Sequence, residues 1–221
     1  MPSKLGQQMN HLIRGQQQEA TTGQSKATKI HNLYKQGLQQ IRGTRNIHPD
    51  AQRVEIARLY TPTRQSLTKV KTDQAKTDQA TFTKLERQLW GYDLERATAG
   101  DRASIDHTIR DAQDRAAKLT KADHATKALA QAEQAGDSIL ARAIAKRAHD
   151  MDWDDVLHDY LASRPQAAEK YQQAGAIWQR YNDTGAHMQD SMQYVVHKPD
   201  ELRGLDDKAI QSMVDPEDSA A

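Results

Sequence analysis

The 221-residue chain has no cysteine. Disulfides, a thiol nucleophile and thiolate metal ligands are thereby excluded, and a reducing interior suits the composition. Long apolar runs are missing too: the roughly 18 consecutive apolar residues that a membrane span needs occur nowhere. The N-terminal MPSKLGQQMNHLIRG has no secretory apolar core. Large apolar side chains are scarce, with Leu, Ile, Val and Phe supplying only 34 of 221 residues. That is below the roughly one-fifth at which chains lean towards disorder or an extended form. Disordered chains usually carry a large net charge, whereas this one is +1 and is rich in the helix formers Ala, Gln, Lys, Arg and Leu. The expectation is an all-α, elongated helical protein with a long polar helix and a C-terminal helical bundle.

Signature motifs of catalysis are lacking as well. GxSxG, GxxxxGK[ST], GxGxxG and HExxH do not occur, and nine histidines are scattered without metal-ligand pairing. The sequence therefore reads as non-enzymatic, with no cofactor.

What is present is a charge gradient beneath the near-zero total. Residues 1–72 hold 12 Lys/Arg against 3 Asp/Glu, and residues 151–221 hold 6 against 14. One end is basic and the other acidic.

Leu5, Met9, Leu12 and Ile13 recur at helical spacing and predict a short first helix, interrupted at Gly15. Ile30, Leu33, Tyr34, Leu38 and Ile41 form a cleaner stripe, with Gly43 expected as its left-handed cap. Pro49 and Asp50 open a third segment carrying Val54, Ile56, Ala57 and Leu59, and Thr61-Pro62 predicts a boundary or kink. Residues 71–80 are a perfect tandem repeat, KTDQA KTDQA, whose only apolar members are Ala75 and Ala80, so a solvent-exposed helix is expected there. After a connection between Gly91 and Gly100, Asp101 is suited to cap a helix with Ile105, Ile109, Ala112, Ala116 and Leu119 in heptad register. Alanine at two of those positions suits close packing more than an independent coiled coil. Gly136-Asp137 marks a turn, and Asp152 and Ser163 are candidate N-caps of two later helices. Six of eleven aromatics lie between 153 and 194, where the best-ordered core is expected. The segmentation is thus 1–48 basic and Gln-rich, 49–100 long helical, 101–198 bundle, and 199–221 an acidic tail.

Two clusters have functional potential. HDMDWDDVLHD, residues 149–159, sets Asp150, Asp152 and Asp154 at the alternation that begins a calcium loop. Asp155 stands where the loop needs Gly, and Leu161 where it needs Glu. Asp154 and His158 could share a helix face, but two ligands do not make a metal site. These carboxylates read instead as groups that meet the positive end of a helix. The second cluster is basic: Lys26, Lys29, Lys35, Arg42, Arg45, Arg53, Arg58 and Arg64. It suits either a phosphate-backbone contact or an acidic protein surface, such as the acidic end of another copy. With no recognition helix or stacking platform in view, protein contact is favoured.

ALAQAEQAGDSILARAIAKRAHDMDWDDVLHDYLASRP, residues 128–165, resembles one tetratricopeptide-like helical hairpin, and a single unit points to a helix pair within a bundle. Its stretch from Ala135 onward also resembles small helical proteins from the structural-gene regions of actinobacterial tailed phages. That resemblance implies a virion-assembly or structural role, such as a capsid scaffold or minor virion component. It further implies a capsid or other virion protein as partner, homo-oligomers, no membrane, and residence in host cytoplasm or virion. The alternative is non-specific nucleic-acid binding through the basic N-terminal third. The basic segment lies at the N-terminus, whereas many phage scaffolds carry theirs at the C-terminus.

Overall fold

The computed structural model describes residues 22–92 and 99–214. Among them the chain is all-helical, with nine α-helices and no strand. The first expected helix, around Leu5 to Ile13, and the last residues of the acidic tail lie outside the described residues.

Helix α1 spans Thr22–Gly43 and α2 spans Pro49–Trp90, 42 residues in all. Gly43 closes α1 as its last helical residue, and the left-handed conformation falls to Asn46 (φ 63°) in the following turn. Pro62 sits inside α2 and does not end it. A proline withholds one N–H from the helix, at a cost of about 3 kcal/mol. Here it lies on the exposed side of α2, while Ile56, Ala57, Tyr60, Thr63 and Leu67 bury the opposite stripe and hold the helix together.

The described residues divide into two compact units, those up to 79 with those from 179 onward, and those from 80 to 178. In the first, α1 and the first part of α2 enclose an apolar core with residues from the C-terminal stretch. Ala27, Tyr34, Ile56, Ala57, Tyr60 and Leu67 meet Tyr194, Val196, Leu202 and Ile210. The acidic tail expected from residue 199 is therefore largely folded: a turn of 3-10 helix at Asp200–Leu202 precedes α9 (Asp207–Val214), and Leu202 is fully buried. Apolar residues interleaved with the acids explain this. Leu202, Leu205, Ile210, Met213 and Val214 give the segment an inward face. Helix α8 (Thr184–Met192) is different, since none of its residues is buried.

In the second unit α5 (Ser138–Asp150) packs against α3 (Ala99–Ala117), α4 (Ala122–Ala135) and α6 (Asp154–Ala162). Leu140, Ala141, Ala143, Ile144, Ala145 and Ala148 bury most of its circumference, because alanine lets neighbouring backbones approach. The expected register of α3 is present to its end, with Ile109, Ala112 and Ala116 buried and Ile105 half-buried, while Leu119 is half-buried just past the end of the helix. Gly136 takes φ +70° after α4, the Asp137 N–H reaches the Ala132 carbonyl at 2.9 Å, and the Asp137 side chain accepts from Leu140 N. That combination of left-handed cap and N-cap reverses the chain.

Three expected N-caps have other roles, the first being Asp101, which lies within the first turn of α3 instead of before it. Asp152 adopts φ +54° and turns the chain between α5 and α6, so that Trp153 occupies the N-cap position. Ser163 ends α6 instead of starting α7 (Pro165–Asn182). The aromatics of 153–194 do not form one core either: Tyr160 and Tyr194 are buried, whereas Trp178 and Tyr181 are exposed. Alanine-lined contacts around α5 make up much of the core of the second unit.

Candidate functional site

The eight basic residues expected to form a contact surface divide into two sets. Lys26, Lys29 and Lys35 lie exposed on α1 and Arg45 lies exposed in the turn after it; none has an acidic partner among the described residues. The other four are engaged. Arg58 pairs with Glu55 one turn away on α2, at 2.8 Å. Arg42, Arg53 and Arg64 reach the C-terminal stretch.

Arg42, in the last turn of α1, donates from Nε and Nη2 to the two carboxylate oxygens of Glu201 at 2.7 and 2.8 Å. Planar guanidinium and carboxylate match in this two-point contact, which fixes orientation as well as charge. Arg53 donates from Nε to the Glu201 carbonyl at 3.1 Å and lies 3.7 Å from Asp50. Arg64 meets Asp207, the first residue of α9, at 2.7 Å. The arginine hydrogen bonds hold both carboxylates below their usual range, against a smaller opposing effect of burial. Arg42 and Arg64 are raised by the same contacts. Between the pairs lies the apolar floor, including Tyr34, whose phenol burial pushes up to about 12 and whose hydroxyl has no hydrogen-bond partner among the described residues. Beside the Arg64–Asp207 pair an open groove of about 450 Å³ is lined by Tyr60, Thr61, Gln65, Thr68 and Ile210 among others.

Sequence reading missed Glu201 and Asp207 as partners of the basic face because it treated them as a tail. The signal was present in Ile210, Met213 and Val214, whose spacing makes the acidic segment amphipathic.

A second polar cluster lies in the same unit. Asp78, only 6% exposed, accepts from Arg180 Nη1 at 2.6 Å, the Tyr181 hydroxyl at 2.7 Å and Gln74 Nε2 at 2.8 Å. The tandem repeat is therefore not wholly solvent-facing. Leu67 and Val70 continue at helical steps to Gln74 and Asp78, so polar residues occupy part of the core stripe. Burial and the Asp78 hydrogen bond raise the Tyr181 phenol strongly.

Compared with known proteins, the chain matches no family, no curated relative and no solved structure. Among the described residues no helix is long and apolar enough to cross a membrane. No group of three or more His, Asp or Glu residues there is placed to hold a metal ion. Asp154 and Asp155 occupy the first turn of α6, where carboxylates meet the positive helix end.

Proposed function

We propose that the chain is a non-enzymatic structural or assembly protein of a bacteriophage particle, such as a capsid scaffold or minor virion component. The observation that carries the protein-contact part of this reading is the pairing of Arg42 with Glu201 and Arg64 with Asp207 across an apolar floor. The basic face recognises an acidic, amphipathic helical segment, which is the chemistry of protein association. The phage assignment is supported by the textural resemblance of residues 135–165. A homo-oligomer in host cytoplasm or virion, with a capsid or other virion protein as partner, follows from the same reading.

Light scattering on the eluted protein, with its nucleic-acid absorbance read in low and high salt, tests this. Oligomers free of nucleic acid agree with assembly; a monomer in both salts contradicts it.

One observation favours a second reading. Lys26, Lys29, Lys35 and Arg45 remain exposed without acidic partners among the described residues, and could contact phosphates non-specifically. Nucleic acid retained at low salt and shed at high salt would place this reading first, because released counterions give such binding a steep salt dependence.

A further inference from the structure

Residues 193–214 behave as a docked arm. Four of them, Tyr194, Val196, Leu202 and Ile210, are buried in the core of the first unit. Glu201 and Asp207 add ion pairs to Arg42 and Arg64, and the Gln193 carbonyl lies 2.8 Å from His31 Nε2. The arm thus carries its own recognition elements: an apolar face for the floor between α1 and α2, and acids for the arginines at its rim.

The connection leading into the arm is α8. None of its nine residues is buried, only Ala186, Asp190 and Ser191 are even partly covered, and Met188 and Met192 are 65% and 63% exposed. Moving α8 therefore sacrifices little packing. The described contacts that tie it to the rest of the unit include the 3.2 Å hydrogen bond from Lys71 Nζ to Ser191 Oγ and a tilted ring contact between His187 and Tyr181, centroids 6.3 Å apart.

From this combination we infer that a second copy of the chain is the partner of the basic face, and that two copies associate by exchanging their arms. Each arm then fills the partner copy's floor with the same contacts that it makes at home. Closed and exchanged forms differ mainly in the path of α8 and in the entropy of association, so chain concentration sets their balance. The inference rests on the assembly reading and supplies it with a mode of self-association. The opposite charges identify what they recognise: the basic end of one chain meets the acidic end of another.

The absence of native cysteine makes the test specific. Arg64→Cys is introduced in one chain and Asp207→Cys in a second chain of different tag mass, both positions being exposed in this structure. The two proteins are mixed at high concentration, partly unfolded, refolded and treated with a short bis-maleimide. The doubly substituted single chain, Arg64→Cys with Asp207→Cys, serves as the intramolecular control, and circular dichroism checks that each variant is helical.

Arm exchange predicts a covalent product containing one chain of each tag, joined at 64 and 207. If the control closes on itself but the mixture gives no 64-to-207 product between chains, arm exchange is overturned. Light scattering then separates the two ideas. Oligomers without that cross-link leave the assembly reading standing on another interface, whereas monomers without it remove both.

Discussion

Arg42 and Glu201, 159 positions apart in the chain, meet through two parallel hydrogen bonds. Their contact brings the basic beginning and the acidic end of the sequence onto one core. Opposite charges from the two ends of the sequence face each other here, with a geometry that specifies which segment docks where.

The acid dependence of that docking follows from the depressed carboxylates. Glu201 and Asp207 lie below their usual range in the folded chain, so their contribution is complete above that range and is lost as pH falls through the depressed values. Thermal melts should therefore weaken from about pH 5 downward, with part of the slope belonging to these two groups. Glu201→Gln with Asp207→Asn should flatten the curve; an unchanged acid slope would show that the two pairs contribute nothing to stability.

Asp78 offers a sharper test, because its three partners converge on a buried carboxylate. Asp78→Ala leaves the Arg180 guanidinium and the Tyr181 hydroxyl without it and should cost about 2–4 kcal/mol. The Tyr181 phenol, now raised by burial and by Asp78, should titrate at lower pH in the variant. Denaturant unfolding and alkaline absorbance titration read the two effects separately. A stable variant with an unshifted tyrosine titration would contradict the assigned geometry.

Close approach of α1 to α2 is tested at Gly37. A Cβ there would lie 2.8 Å from Leu59 Cδ2, so the glycine accommodates a neighbouring side chain. Gly37→Val should cost about 1–3 kcal/mol through overpacking. Combining it with Leu59→Ala should recover part of that loss, and additive costs in a double-mutant cycle would rule out the contact.

The α4 to α5 turn separates backbone from packing effects. At Gly136 an added Cβ meets nothing within 4 Å, yet φ is +70°. Gly136→Ala should therefore cost about 1–2 kcal/mol from conformation alone, and Gly136→Asn less. Asp137→Ala should cost about 1 kcal/mol for its lost cap. A neutral Gly136→Ala in equilibrium unfolding would mean that the turn relaxes.

What the sequence revealed depended on the distance over which each signal acts. The helical class, the buried register of Ile109, Ala112 and Ala116, and the Gly136-Asp137 turn are local features, readable from spacing and cap chemistry. Of the boundary or kink expected at Pro62, the boundary is absent, because the buried stripe that carries α2 past it packs against residues distant in sequence. Asp152 and Ser163 had the chemistry of N-caps, but tertiary packing set the helix starts one or more residues later. For the candidate site, all the basic residues could be named, while their sorting into paired and unpaired sets needed Glu201 and Asp207. That is a long-range fact which composition alone does not encode, although the amphipathic pattern around Ile210 hinted at it.

The two KTDQA copies show the same divide within ten residues. Five residues advance an α-helix by about 500°, so corresponding side chains in the two copies point about 140° apart. Asp73 accordingly faces water while Asp78, the same letter in the same word, is enclosed. A tandem repeat of this period copies composition without copying environment, so its two halves meet different chemical demands. At the third position of the first copy any soluble helix former would meet only water, whereas in the second copy Arg180 and Tyr181 call for a carboxylate.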